Sequence, residues 1–307
     1  MLESTVVIAA VIVTYQPMGE MLGDCIRSVV AAGGVQRIIV VDNGGGAVVP
    51  AELADVVELL RPLRNGGFGA GANVGFRRAL EAGATVVALL NDDLVVDGQW
   101  LQPLLAELAT DDRIGAVQPM LLLAGTDPAL INSVGVAIDA AGAGSDIGYG
   151  IADHGGAVPT DIALFTGGAV AFSATFLRAT SGFDERYFLY YEDVDLGLRG
   201  ADLGFRYRCV PASRVHHRGS ASTAGLGDRL VYLRERNRLW CAFRHQPPMT
   251  VARAVWLSLR RLRWAPRRAH AKALAVGVAV GATRFLANRF WASRVLASRF
   301  RAGRHPA

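Results

Sequence analysis

Val86-Val87-Ala88-Leu89-Leu90-Asn91-Asp92-Asp93 runs from five apolar residues straight into an amide and two carboxylates. A short, unbroken apolar run that stops at turn-forming residues is the pattern of a strand buried on both faces. The same pattern lies upstream. Val6–Val13 is a β-branched run that ends at Thr14-Tyr15-Gln16-Pro17, and Arg37–Val41 ends at Asp42-Asn43-Gly44-Gly45-Gly46. Val56–Leu60 reads as a further strand. Between these runs lie helical segments: Met21–Ala32, with Leu22, Ile26 and Val29 on one stripe, then Asn73–Ala82, and Trp100–Ala109 beyond the acids. Strands that alternate with helices predict an α/β fold whose mixed, mainly parallel central sheet is flanked by helices. Ligands of such sheets bind beyond the carboxyl ends of the strands. Asp42-Asn43 and Asn91-Asp92-Asp93 both fall there.

Beyond this core, Leu121–Asp161 is rich in Gly, Ala and Asp and reads as short strands and loops. Glu192–Ala201 is predicted to be a helix and Phe205–Val215 a strand. After Pro247-Pro248 the composition turns to Arg, Ala, Leu and Trp. The expected organisation is therefore a catalytic domain over 1–247 and a basic, amphipathic helical tail over 248–307, with no internal repeat. The charge of +5 is concentrated at that end, because from Arg229 onward the only acid is Glu235. Such a tail seeks phosphate, on lipid or on nucleic acid. Cys25, Cys209 and Cys241 are odd in number and widely spaced, so neither a disulfide framework nor a zinc site is expected, and a reducing cytoplasm fits. The N-terminus lacks a signal-peptide pattern. No stretch reaches the roughly 18–20 apolar residues of a spanning helix, and the segment Ala273–Thr283 is expected to be an interfacial or packed helix.

Adjacent carboxylates at Asp92-Asp93 repel one another unless a cation neutralises them. Oxygen donors of this kind suit Mg²⁺ or Mn²⁺ shared with substrate phosphates. Asp42 ends its strand where a base or ribose would be met. Arg64–Asn73 is a glycine-rich loop running into a helix. It allows close approach of a ligand, but its spacing is neither that of a P-loop nor that of a dinucleotide fingerprint. Tyr191-Glu192-Asp193-Val194-Asp195 puts three acids at a helix start behind an aromatic run, where partial desolvation raises a carboxylate pKa towards that of a base. His216-His217-Arg218 supplies an imidazole for a metal and a guanidinium for a diphosphate. Each of these patterns, taken alone, is equally that of an ordinary turn, cap or surface pair.

In order and spacing, these segments resemble glycosyltransferase family 2, the inverting enzymes with a GT-A fold. The resemblance runs from Val11–Tyr15 and Ile39–Gly44 through Asn65–Gly75 and Leu89–Asp93. It continues through Thr166–Ala169, Gly182–Phe188, Tyr191–Leu196 and His217-Arg218 to Arg236-Asn237. The look is closest to bacterial rhamnosyltransferase-type members. The resemblance implies a Rossmann-like nucleotide-binding half, an acceptor half and the basic helical extension. It implies Thr14, Tyr15, Asp42, Asn65, Gly66, Asn73, Asp92 and Arg236 at the donor, with Asp42 on the base and Arg236 near the diphosphate. Asp93 and His217 would hold Mg²⁺ or Mn²⁺, with His216 as an alternative ligand. Asp193 would be the catalytic base with Glu192 beside it, and Gly167, Gly168 and Tyr191 would face the acceptor. The metal motif reads Asn-Asp-Asp and lacks a first acid.

The implied partners are a nucleoside-diphosphate sugar and a glycan or lipid-linked acceptor. The expected location is cytoplasmic and peripheral, on the inner face of the plasma membrane. No nucleic-acid partner is expected, and homo-oligomerisation stays open. A sugar-nucleotide nucleotidyltransferase would need a basic, glycine-rich loop where Thr14-Tyr15-Gln16-Pro17 stands. A nucleic-acid binder would need a recognised motif in the tail, and the acids around Glu192 would repel phosphate.

Overall fold

Alternate residues of the first strand pack into different cores. Ile8, Ala10 and Ile12 join Leu22, Ile26 and Val29, whereas Ala9, Val11 and Val13 join Ala72, Phe76 and Ala79. The period of two along a strand thus places one helix layer on each side of the sheet. The structure, a computed structural model, describes residues 6–155, 159–219, 226–264 and 268–286. The chain splits into two compact units: Met1–Ala137 with Ser145–Gly225, and Ile138–Gly144 with Leu226–Ala307.

In chain order the strands are β1 (Ile8–Thr14), β2 (Arg37–Asp42), β3 (Val57–Leu60), β4 (Val86–Asn91), β5 (Leu94–Val96), β6 (Ile114–Leu123), β7 (Leu130–Ser133), β8 (Val136–Ile138), β9 (Gly144–Asp146), β10 (Thr160–Ile162), β11 (Ala169–Ser173) and β12 (Arg206–His217). The helices are α1 (Met21–Ala32), α2 (Phe68–Glu81), α3 (Leu101–Leu108), α4 (Ala174–Thr180), α5 (Glu192–Asp202), α6 (Gly227–His245), α7 (Pro248–Trp264) and α8 (Arg268–Val280).

The main sheet has the order β10-β12-β6-β11-β4-β1-β2-β3. β3, β2, β1 and β4 run parallel, and β11 is antiparallel to both β4 and β6. β12 is parallel to β6. The carboxyl ends of six strands therefore lie along one sheet edge, bringing Thr14, Asp42, Asn91 and His217 to it. Because β11 enters backwards, its leading residues Gly167-Gly168 arrive at the same edge, where the Asn91 N–H donates to the Gly168 carbonyl at 2.9 Å.

Helix α2 begins at Phe68 and not at Asn73, so the glycine-rich stretch is largely helix and not loop. Its glycines are there for close packing. A Cβ on Gly75 would lie 2.3 Å from Cγ1 of Val11, and one on Gly71 would lie 2.5 Å from Nδ2 of Asn43. Tertiary contact thus overrides poor helix propensity. The sequence reading also passed over β6, whose first nine residues are all buried.

In the second unit α6 packs against α7 and α8. A Cβ on Gly277 would lie 2.6 Å from Leu239, and one on Gly281 would lie 2.5 Å from Phe243. The weakly apolar stretch from Ala273 is therefore a packed helix whose small residues let it approach α6. The unit division falls at Gly225/Leu226, ahead of the composition change at Pro247-Pro248. The last part of the tail, 287–307, lies outside the described residues.

Candidate active site

Four buried oxygens at this sheet edge have no hydrogen-bond partner among the described residues: Oδ1 of Asn43, Oδ1 of Asn91, Oδ1 of Asp93 and Oε2 of Glu192. Buried acceptors are nearly always paired, so a cluster without partners marks where a ligand completes the structure.

Asp92 and Asp93 turn the chain from β4 into β5. Thr14 donates its hydroxyl to Oδ2 of Asp92. Burial raises the Asp92 carboxyl to about 6; the Thr14 bond opposes the rise and the Asp93 charge adds to it. Asp93 faces His217, whose Nε2 lies 3.1 Å from Oδ2 of Asp93, because β12 pairs with β5 and sets His217 opposite Leu94. The other ring nitrogen, Nδ1, is 2.7 Å from Oδ1 of Asn132 on β7. An imidazole that donates Nδ1–H to Asn132 turns the lone pair of Nε2 towards a carboxylate oxygen. Two acceptors so placed need a shared cation, so this donor pair fits a divalent metal. His216 points to Asp97 at 3.0 Å instead. Among the described residues no group of three or more His, Cys, Asp or Glu side chains is placed to hold a metal. A cation held by this pair would take its remaining ligands from phosphate oxygens and water, as Mg²⁺ usually does.

The second half of the site is the start of α5. Asp193 accepts from the Gly167 N–H at 2.9 Å through Oδ2 and from the Val194 N–H at 2.8 Å through Oδ1. Burial pushes its pKa up, and these two backbone donors pull it back. Glu192 is 5% exposed, and its carboxyl is raised to about 8, first by burial and then by the charge of Asp193. Both adjacent carboxyls thus have raised pKa values, and Glu192 keeps its proton at neutral pH. Asp195, fully buried, is held by Nε of Arg199 at 2.8 Å and by the Tyr187 hydroxyl at 3.2 Å. Arg199 in turn donates to the carbonyls of Thr180 and Gly182, both at 2.6 Å.

The backbone before α5 is strained. Phe188, Tyr190 and Tyr191 have φ of 67°, 68° and 70°, a region that non-glycine residues seldom adopt. Gly67 (φ 94°) fits beneath this turn, since a Cβ there would sit 2.0 Å from the Phe188 carbonyl oxygen, which also receives the Phe68 N–H at 2.8 Å.

Several expected donor residues are used internally. Asp42 accepts from the N–H groups of Gly44, Gly45 and Ala47 at 2.7–3.0 Å, and its side chain is fully buried. It shapes the loop after β2 and does not reach out to a base. Asn73 bridges α2 to Phe183 and Glu185 at 2.9–3.0 Å, so it clamps two segments of the fold and does not line the donor path. Asn65 accepts from the Gly67 N–H at 2.8 Å, and Gly66 has Cβ of Ala70 2.7 Å from where its own Cβ would be. Gly167, expected at the acceptor, donates its N–H to Asp193. Gly168 anchors Asn91, and Tyr191 caps α5 with a backbone carbonyl that accepts from Asp195 at 2.9 Å. Tyr15, 37% exposed, follows directly on Thr14. Arg218 is paired with Asp24 of α1. Arg236 belongs to the second unit, where its guanidinium lies 4.2 Å from the centroid of the Trp240 ring. Asn132 was missed in the sequence. The one polar signal for Asn132 is an asparagine inside the short run Leu130–Ser133.

A solved structure of GalNAc-T7 with UDP, GalNAc and Mn²⁺ has a TM-score of 0.65 at 16% identity, covering 89% of this chain and 54% of that one. A mannosyltransferase from Pyrobaculum calidifontis, solved with GDP-Man and Mn²⁺, has a TM-score of 0.54 at 16% identity, covering 94% and 80%. At these identities the likeness establishes the GT-A fold. The N-acetylglucosaminyl-diphospho-decaprenol L-rhamnosyltransferases of two Mycobacterium tuberculosis strains are 38% identical over 65 residues, a stretch that spans 21% of this chain and 21% of each relative. Residues 9–121 match glycosyl transferase family 2, and residues 86–298 match glycosyl transferase family group 2. With the second match covering most of its length, this chain belongs to the family 2 glycosyltransferases.

Proposed function

We propose that the enzyme transfers a sugar, L-rhamnose in the favoured reading, from its nucleoside diphosphate to a hydroxyl of a lipid-linked glycan, with inversion at the anomeric carbon. The single observation that carries the chemistry is the division of labour at the sheet edge. A donor pair that fits a cation, Asp93 and His217, sits on one side, and a buried Asp193 aimed by the Gly167 and Val194 N–H groups on the other. The partial likeness to rhamnosyltransferases supports the sugar and the lipid-diphosphate acceptor.

In this mechanism Asp193, aimed by the Gly167 and Val194 N–H groups, takes the proton of the acceptor hydroxyl. The acceptor oxygen forms its bond to the anomeric carbon as the bond from that carbon to the diphosphate breaks on the opposite face. The electron pair leaves with the nucleoside diphosphate. Asp93 and His217 are the residues that would hold Mg²⁺ or Mn²⁺, which supplies charge stabilisation to the leaving diphosphate. Asn132 keeps the imidazole turned for that task. Glu192, protonated, spares Asp193 a like charge at its side.

A general base contributes about 10²–10⁴-fold. Asp193→Asn is therefore expected to lower turnover of dTDP-rhamnose with a prenyl-diphosphate-linked N-acetylglucosamine acceptor by at least about 100-fold, while dTDP still binds. Near-normal turnover in that variant removes Asp193 from the role. No helix among the described residues is long and apolar enough to cross a membrane. An acceptor carried in a bilayer therefore has to be met at the surface of the membrane.

A further inference from the structure

Helix α7 is amphipathic, with an outward face that is itself partly apolar. The face it turns inward carries Ala254 and Ser258, both buried, with Val251 and Val255 packed against the small core of the second unit. The opposite face carries Met249, Arg253, Trp256, Leu259, Arg260 and Arg263, all exposed. These positions recur at intervals of three and four, so they form one stripe along the helix. Three of the six are large apolar side chains, with Met249 64%, Trp256 56% and Leu259 51% exposed. The other three are arginines. From Met249 to Arg263 the stripe is about 21 Å long at the usual helical rise.

A solvent-facing stripe ordinarily carries mixed charges and few large apolar groups. This one has no acid, and the chain has none after Glu235. Arg260 lies over the Trp256 ring, 4.7 Å from its centroid, so a guanidinium covers one face of the indole. Indole, leucine and methionine set between arginines on one helical face match the boundary layer of an anionic bilayer. There apolar side chains enter the acyl region and guanidinium groups remain among the phosphates. A nucleic-acid backbone would use the arginines and leave Met249 and Leu259 exposed to water. We infer that the outward face of α7, centred on Trp256, Leu259 and Arg260, docks the enzyme on an anionic phospholipid surface. The inference rests on the proposed reading that the acceptor is carried in a bilayer.

The test is co-sedimentation of the full chain with vesicles of phosphatidylcholine alone and of phosphatidylcholine mixed with phosphatidylglycerol. Thermal shift with dTDP and Mn²⁺ is measured in parallel. Binding is expected on the mixed vesicles only, and it should weaken as salt is added. Each of Arg253→Gln and Arg260→Gln should reduce the partition by about five-fold. Trp256→Glu with Leu259→Glu should abolish binding while the melting transition and the nucleotide shift persist, since both side chains are exposed. Equal binding to neutral vesicles, or unchanged binding by the double variant, overturns the inference. So does a dimer in light scattering that the double variant dissolves without any vesicle binding, since the face would then belong to a second copy. A chain that shows the nucleotide shift but ignores anionic vesicles refutes the docking face alone. One that sediments with them but binds no nucleotide upholds the face and refutes the transferase reading.

Discussion

Glu192 and Glu235 are almost equally buried, at 5% and 3% exposure, yet they are held in opposite states. Glu235, on α6 in the second unit, accepts from Arg238 at 2.7 Å and is also bonded to Ser258 and Arg261. Burial works to raise its pKa, but Arg238 and the other donors carry it below the ordinary glutamate value. Arg238, itself 2% exposed, also donates to the carbonyls of Ala141 and Ala254. The buried charges of Glu235 and Arg238 are thus matched by one another and by neighbours within the unit. Glu192, on α5 in the first unit, has a second carboxylate beside it, no cation among the groups that shift it, and one oxygen without a partner among the described residues. A buried charge that serves only the fold is compensated by the fold. A buried carboxyl left without a cation, as at Glu192, keeps its proton instead.

That contrast breaks most readily at Glu235. Glu235→Ala leaves Arg238 buried without its carboxylate and should destabilise by about 3–5 kcal/mol in denaturant unfolding. A loss under about 1 kcal/mol would mean that the network carries no such role.

Glu192→Gln should act in the other direction. A carboxyl whose folded pKa is raised to about 8 binds a proton that the unfolded chain has already lost, so folding is penalised increasingly as pH rises from the ordinary glutamate value to about 8. The glutamine variant avoids that penalty. It should be more stable than the parent by up to about 5 kcal/mol at pH 9, at about 1.4 kcal/mol per pKa unit, and no more stable below pH 4. Parallel melting curves of the two proteins across pH would contradict the assignment of the proton to Glu192.

Asn132→Leu sharpens the same contrast at the metal pair. With Nδ1 of His217 no longer oriented, Mn²⁺ affinity measured by calorimetry with dTDP present should fall about 10–100-fold, with little change in melting temperature of the free protein. Unchanged affinity would make the His217–Asn132 bond structural.

The parts of this arrangement legible in sequence are those where chemistry and periodicity coincide. An apolar run that stops at Asn91-Asp92-Asp93 reveals both a central strand and its functional end. Likewise Tyr191–Asp195 reveals a helix start and its cluster of acids. Asp42 shows where such reading stops. An aspartate at a strand end looks the same whether it meets a ligand or, as here, collects three backbone N–H groups of its own loop. The glycines from Gly66 to Gly75 look like a flexible loop because their requirement is set by Val11, Asn43 and Phe188, which are distant in sequence. Asn132 lies in a stretch without clear periodicity, and only the pairing of β7 with β6 and of β12 with both β5 and β6 brings it to His217. The Glu235 network is invisible for the same reason, since Arg238, Ser258 and Arg261 come together only when α6 and α7 pack.

The most direct test of the central claim is the thermal shift of the purified chain with dTDP, UDP and GDP, each with Mn²⁺ and then with EDTA. A ligand that binds only the folded state stabilises it by about 2.7 kcal/mol at 100 times its dissociation constant. A clear upward shift with one nucleotide, abolished by EDTA and absent in the Asp93→Asn variant, is the expected result. No shift with any nucleotide, or a shift indifferent to EDTA and to Asp93, would contradict a metal-assisted nucleotide-sugar site at this sheet edge.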